Sequence, residues 1–241
     1  FEYKGQFFDI PRMSIRPRPI SHPERRFFAS SVSPESAEIM ARLGFGMLVI
    51  MQNEWGKAAA DIHRHRALAI EMGHTPRPPV VSTNISIAPT RAEARDRAAE
   101  FLSRKWDSID AHYKFSDGHL AGVKGYEAYA AVGKTYAKLK EDKHRAKATD
   151  FYVSIQITGT PEDCLEQIAE LTRLTGLDHL TAEFSFGGMP AEDAEVNLRL
   201  FADRVMPTLQ RDPAFRGGGE PQAPMPEDLP AKGKKDIFAP A

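Results

Sequence analysis

A chain of 241 residues with 41% hydrophobic side chains holds enough apolar material for one sizeable core. Lysine and arginine total 32 against 33 aspartates and glutamates, so no global charge draws the chain to nucleic acid or to an anionic membrane. The single cysteine, Cys164, rules out an intrachain disulfide framework and a cysteine-rich metal site, and no apolar run approaches the ~18 residues of a membrane span. A cytoplasmic α/β protein is the expectation.

Taken in chain order, residues 1–8 alternate like a hairpin strand, and residues 11–23 form a proline- and arginine-rich connection. Residues 26–31 read as a first buried strand, followed by a helix from Pro34 to about Leu43 that Gly44 ends. Residues 46–51 are the second strand and residues 54–72 the second helix, closed by Gly73. Residues 79–88, rich in Val, Ile and Thr, are the third strand. Thr90 caps a long helix to about Tyr113, with Ala94, Ala98, Phe101, Leu102 and Trp106 as its apolar stripe. An insertion follows at residues 110–150, irregular or helical, and residues 151–157 are a short extended piece.

Residues 158–209 carry the clearest local signals. Thr160 suits a helix cap, Pro161 the first helical position, and Glu162 and Asp163 the positive helix end. Cys164, Ile168, Leu171 and Leu174 share one helical face, with Cys164 a small apolar filler, and Gly176 stops the run. Residues 180–184 suit a buried strand; His179 beside it reads as structural. The strand's glycine-rich exit, Gly187-Gly188, leads into a helix marked by Ala194, Leu198, Phe201 and Val205 and ending at Pro207. Such an exit is how α/β barrels build their binding faces. Strands alternating with helices predict a mostly parallel sheet, doubly wound or closed. Residues 212–241, with Gly217-Gly218-Gly219 and scattered prolines, read as a flexible tail.

The first chemical candidate is Ser31-Val32-Ser33-Pro34-Glu35-Ser36. Ser33 sits where the helix cap belongs and Ser36 in the first turn, so two hydroxyls and several free N–H groups meet at a positive helix end. On spacing alone, an ordinary N-cap explains the same residues. Asn84 and Ser86 alternate with Ile85 and Ile87 as interior-lining residues would, or as any strand does. His63 and His65, two apart on a helix, point to different faces and form no metal pair; Asp61 and His65 read as a surface ion pair, and no metal site is assigned. The charged run 138–147 reads as a solvated helix or loop.

An ordered set of segments resembles the luciferase-like flavin monooxygenases, the family of the bacterial luciferase α subunit. The set comprises Ser33-Pro34-Glu35-Ser36 after a strand, Phe101-Leu102-Ser103-Arg104-Lys105-Trp106-Asp107-Ser108, Lys124-Gly125-Tyr126, Gly159-Thr160-Pro161-Glu162-Asp163-Cys164, Gly176-Leu177-Asp178 and Leu200-Phe201-Ala202 with Val205-Met206-Pro207. The resemblance implies a (β/α)8 TIM barrel of which this chain holds about the second half, strands five to eight plus the insertion. It also implies reduced FMN, supplied by a flavin reductase, and O2. Together these oxygenate a small organic substrate (an aldehyde, ketone or hydrocarbon) through a flavin C4a-hydroperoxide. Ser33 and Ser36 match the family's phosphate-binding hydroxyls. Ser31 and Val32 fall beside the flavin ring, and Met51 falls where relatives place a large residue against it, although core packing explains Met51 equally well. The insertion corresponds to a mobile lid, and the family favours a homo- or heterodimer.

No counterpart appears to the family's first four strand–helix units, which carry its acidic–histidine–histidine strand end. The catalytic residues are therefore expected outside these residues. Two alternatives stay open: a non-catalytic partner subunit or flavin-binding protein, and a deazaflavin-dependent oxidoreductase on the same fold.

Overall fold

The structure is a computed structural model that describes residues 1–18, 20, 26–30, 34–124, 126 and 129–215. A short hairpin, β1 (Tyr3–Lys4) with β2 (Asp9–Ile10), precedes the main body. Then follow β3 (Phe28–Ser30), α1 (Pro34–Arg42), β4 (Gly46–Ile50), α2 (Trp55–Glu71), β5 (Val80–Ile87) and α3 (Arg91–Tyr113). The insertion contributes α4 (Tyr129–Lys138) and α5 (Asp142–Ser154), after which come β6 (Ile157–Gly159), α6 (Pro161–Thr175), β7 (His179–Glu183), α7 (Ala191–Arg204) and α8 (Met206–Arg211).

Every pairing in the main sheet is parallel, as strand–helix alternation requires. β5 is central: β4 lies along Val80–Ser82, β7 along Val80–Asn84, and β6 along Ile85–Ile87, while among the described residues β3 pairs only with β4. Hydrogen-bond parity places β4 and β6 on the same side of β5. Ser82 accepts from the Met51 N–H, the Asn84 N–H donates to the Gln156 side chain, and the Ala88 N–H donates to Gly159. β6 thus continues the line of β4, and the buried Gln156 joins them: its amide donates to the Met51 carbonyl at 3.0 Å, and its oxygen accepts from Thr83 and Asn84.

On the other side of β5, β7 stops at Glu183 and a side chain takes over. Asn197 of α7, fully buried, accepts from the Ile87 N–H at 2.8 Å and donates to the carbonyls of Ile85 at 2.7 Å and Phe184 at 3.1 Å. Asn197 replaces one strand's worth of pairing for backbone groups that burial would otherwise strand.

The local signals for helix ends operate as expected. Thr160 and Asp163 form a reciprocal capping box with Pro161 in the first turn, and Gly176 takes φ 63° with its N–H on the Thr172 carbonyl. Thr90 accepts from the Glu93 N–H at the start of α3, which runs to Tyr113. The main core lies between the sheet and α2, α6 and α7: Val81, Ile85, Ile87 and Ile157 pack on Ala58, Cys164, Ile168, Leu171, Phe201 and Val205.

Several expectations are corrected. The first strand is an edge strand with Phe28 and Ser30 exposed rather than buried, because among the described residues only β4 pairs with it. Residues 151–154 are the end of α5, not an extended piece, since their aromatic and aliphatic side chains pack on Ala98, Phe101 and Leu102 of α3. Leu198 is exposed, and Asn197 occupies the buried stripe with Phe201. Pro207 opens α8 instead of ending α7, which stops at Arg204; proline needs no N–H in a first turn. Asp61 pairs with Lys57 at 2.8 Å, whereas His65 is buried.

Candidate functional site

Alternation along the strands sorts side chains onto two faces. Ala29, Met47, Val49, Val81, Ile85, Leu180 and Ala182 meet the helices. Phe28, Ser30, Leu48, Ile50, Val80, Ser82, Asn84, His179, Thr181 and Glu183 therefore share the opposite, inner face, and Phe28, Ser30, Ile50, His179 and Thr181 are exposed there. Open parallel sheets place ligands at the carboxyl ends of their strands, so the inner face at that end is the place to look.

Three polar side chains meet there. Lys105 of α3 donates to the Glu183 carboxylate at 2.9 Å and to the Asn84 side-chain oxygen at 3.2 Å, and the Asn84 amide donates to the same Glu183 oxygen at 2.6 Å. Asn84 ends its pairing with β7 opposite Glu183, so the sheet register itself sets the two side by side. Asn84 is buried, while the side chains of Lys105 and Glu183 are 23% and 43% exposed, leaving the charged pair accessible. The Tyr152 phenol lies close behind it, pushed up to about 12 by burial and by the Glu183 charge, and is neutral at ordinary pH. Trp106 packs on Tyr152 with ring centroids 4.9 Å apart.

The surrounding walls come from connections. The Trp55 indole N–H donates to the Ile155 carbonyl at 2.8 Å, tying the start of α2 to the end of the insertion. Gly187, at φ 61°, lies so close to the Phe101 carbonyl oxygen that a Cβ would overlap it, so only glycine allows this turn against α3. The charged run of the insertion is built in: Arg145 of α5 donates to both carboxylate oxygens of Asp107 at 2.8 and 2.6 Å, and to Ser103.

Among the expected site residues, Ser31, Val32 and Ser33 lie outside the described residues. Ser36 is partly buried in the first turn of α1, at the carboxyl end of β3. Met51 is 1% exposed and belongs to the helix-side core with Val81 and Ile85. Cys164 is fully buried and its thiol is pushed up to about 12 by burial and the neighbouring Asp163 and Glu162, which fits a filler. Among the described residues, no group of three or more His, Cys, Asp or Glu is placed to hold a metal ion, and no helix is long and apolar enough to cross a membrane. Lys105, Glu183 and Gln156 escaped the sequence reading because their partners lie 78, 99 and 105 residues away. The one usable signal was a lysine interrupting the buried edge of the α3 stripe.

A parallel strand–helix sheet with its polar cluster at the carboxyl ends of the strands is the ligand-binding layout of the α/β barrels. Comparison makes this specific. Residues 1–179 match the luciferase-like monooxygenase family, and the chain belongs to it. Alkanal monooxygenase alpha chains are among its relatives: that of the Kryptophanaron alfredi symbiont is 24% identical over 211 residues, covering 86% of this chain and 57% of the relative. That of Photorhabdus luminescens is 22% identical over 212 residues, covering 87% and 58%. Among solved structures, monooxygenase RslO1 from Streptomyces bottropensis superposes with a TM-score of 0.58 at 21% identity, covering 86% of this chain and 55% of that one. EDTA monooxygenase from Chelativorans sp. BNC1 gives 0.57 at 17% identity, covering 89% and 51%. The fold is thus that of the luciferase-like TIM barrels, and the chain spans little more than half the length of the relatives it matches.

Proposed function

We propose that this chain forms the flavin-phosphate side of a luciferase-like monooxygenase that uses reduced FMN and O2 to oxygenate a small organic substrate. The observation that supports it most directly is the inner face. β3 ends at Ser30, α1 opens at Pro34, and Ser36 stands in the first turn of that nine-residue helix. Free N–H groups and the helix dipole at such an end suit a phosphate. The relatives' names, alkanal monooxygenase and long-chain alkane monooxygenase, indicate the reaction class, and a structural neighbour, riboflavin lyase, is described with a modified FMN.

In this reading Ser33 and Ser36 bind the phosphate and Ser31 and Val32 border the ring, while Met51, packed in the helix-side core, takes no part. The flavin, when bound, supplies the oxygen-activating chemistry. The chain's own residues orient it and exclude water: the Lys105–Glu183–Asn84 cluster forms a polar wall, and the insertion at residues 110–150 acts as the lid. A separate reductase supplies the reduced flavin. The term alpha chain in the relatives' names fits a partner chain, so a dimer belongs to the same proposal.

The test is a fluorescence titration with FMN, using riboflavin as control. FMN is expected to bind more tightly, with the advantage lost in Ser33→Ala/Ser36→Ala. Equal affinity for the two flavins in the unaltered protein would overturn the phosphate assignment.

A further inference from the structure

The insertion meets α3 through an unbroken line of aromatic rings. The line starts behind the Lys105–Glu183 pair at Tyr152 of α5, whose ring centroid lies 4.9 Å from that of Trp106 on α3. Trp106 meets Tyr136 of α4 at 5.4 Å, and Tyr136 meets Phe115 at 5.3 Å. Phe115 in turn stacks on Tyr113, the last residue of α3, at 5.2 Å. Tyr152 and Tyr136 are 7% and 8% exposed and Tyr113 is 55% exposed, so the line runs from beneath the inner face to open solvent.

Two features go beyond packing. Neither the Tyr136 nor the Tyr152 hydroxyl hydrogen-bonds another residue, so phenylalanine would fill both places without burying a polar group. The Nε1 of Trp106 is buried without an acceptor, whereas the other tryptophan, Trp55, donates its own to the Ile155 carbonyl. An indole that has lost an electron turns acidic at that nitrogen. With no base there, oxidised Trp106 keeps its proton and remains a strong oxidant, able to draw an electron from a phenol. Tyr136 is the phenol beside it, and Asp110 lies close enough for its charge to bear on that phenol and to take its proton.

We propose that Tyr152, Trp106, Tyr136, Phe115 and Tyr113 form a conduit that carries an oxidising equivalent from the inner face to the surface. The oxidant it answers is a hydroxyl radical derived from peroxide; only that source rests on the oxygen chemistry proposed above. The radical takes one electron from Trp106 across the Tyr152 ring and becomes hydroxide. Tyr136 refills Trp106 while its proton moves to Asp110. Tyr113 then refills Tyr136 across Phe115, Asp110 returns the proton, and Tyr113 releases its own to neutralise the hydroxide. Tyr113 has lost one electron and one proton, and one water has formed. A small thiol restores Tyr113 by giving up a hydrogen atom, and two such thiols end as a disulfide.

Pulse radiolysis of the chain in azide solution tests the conduit without any flavin, so its outcome is separate from that of the FMN titration. The azidyl radical oxidises indoles. The part of the indolyl absorption that disappears in Trp106→Phe should decay in first order, independently of protein concentration, with a matching tyrosyl rise. Tyr136→Phe removes only a hydroxyl that bonds nothing and should slow that transfer several-fold. A rise unchanged in Tyr136→Phe overturns the conduit. So does the absence of a concentration-independent rise in the unaltered chain, whether or not either variant folds. Under hydroxyl radicals made from ferrous EDTA and peroxide, peptide mass spectrometry should find more oxygen added to Trp106 in Tyr136→Phe than in the unaltered chain. Equal addition overturns the protective role.

Discussion

The two faces of the main sheet obey different rules. On the helix side, β5 shows Val81, Ile85 and Ile87 to a core completed by α6 and α7, and each of the three is fully buried. On the inner side Phe28 and Ile50 are 37% and 50% exposed, and the polar residues gather toward the carboxyl ends of the strands. A parallel sheet normally has both faces covered. The contrast teaches that burial holds this fold together on one face, while on the other α3 covers only the β5 end, where Ser86 donates to the Ala94 carbonyl, and the β3–β4 part stays exposed. Stability and function should accordingly respond to different residues.

The largest effect that separates the faces is expected at Asn197. It satisfies three backbone groups at once where β7 has ended, and all three lie on the covered side. Asn197→Ala leaves them unpaired in a place water does not reach, which costs about 3 kcal/mol or more. Urea unfolding monitored by circular dichroism should show a large drop in midpoint. A drop comparable to that of an exposed substitution would mean that β5 and α7 do not depend on this bridge.

The next effect is one of pH. His63 and His65 of α2 are both buried; His63 is pushed below its ordinary 6.5 by burial and by Arg66, and His65 by burial and by Arg77. A folded-state value below the unfolded one means the unfolded chain binds protons first. The stability these rings contribute is therefore full above about 6.5 and declines as pH falls through the depressed range. The urea midpoint should fall between pH 7 and pH 5. A second loss begins only below the usual carboxylate range of about 4, where Asp163, held down chiefly by Arg91 and also by the Thr160 cap, takes up its proton. A midpoint flat from 7 to 5 would place both imidazoles in contact with water.

Local chemistry was legible and distant contact was not. Thr90, Thr160 with Pro161, and Gly176 set helix ends through bonds spanning three or four residues, and the sequence reading located them. Four parallel strands followed from alternation. By contrast, Asn197 looks polar in any window, so the stripe was drawn through Leu198, which is exposed. The cluster of Lys105, Glu183 and Asn84 exists only because the register of β5 with β7 and the path of α3 bring the three together. His65 was read as a surface partner of Asp61 because helical spacing allows that pair; tertiary packing instead turned the ring inward and left Asp61 to Lys57. Of the candidate site, Ser36 is placed at the carboxyl end of β3, and Met51 is packed in the helix-side core.

The smallest effect is the cleanest comparison, because it makes the same change on the two faces. Ile85 on β5 is fully buried against α6 and α7, and Ile50 at the end of β4 is half exposed on the inner face. Ile85→Val removes one methylene from a packed core and should cost about 1 kcal/mol through lost transfer energy and an unfilled gap. Ile50→Val removes the same group from a surface where water replaces it, and should stay within about 0.5 kcal/mol. Both variants keep a β-branched side chain, so strand propensity cancels. Equal losses would mean that the inner face is packed in solution by something that covers Ile50, and the Ile50 variant would then report on that cover. A loss confined to Ile85 leaves the inner face as the open side on which the flavin proposal depends.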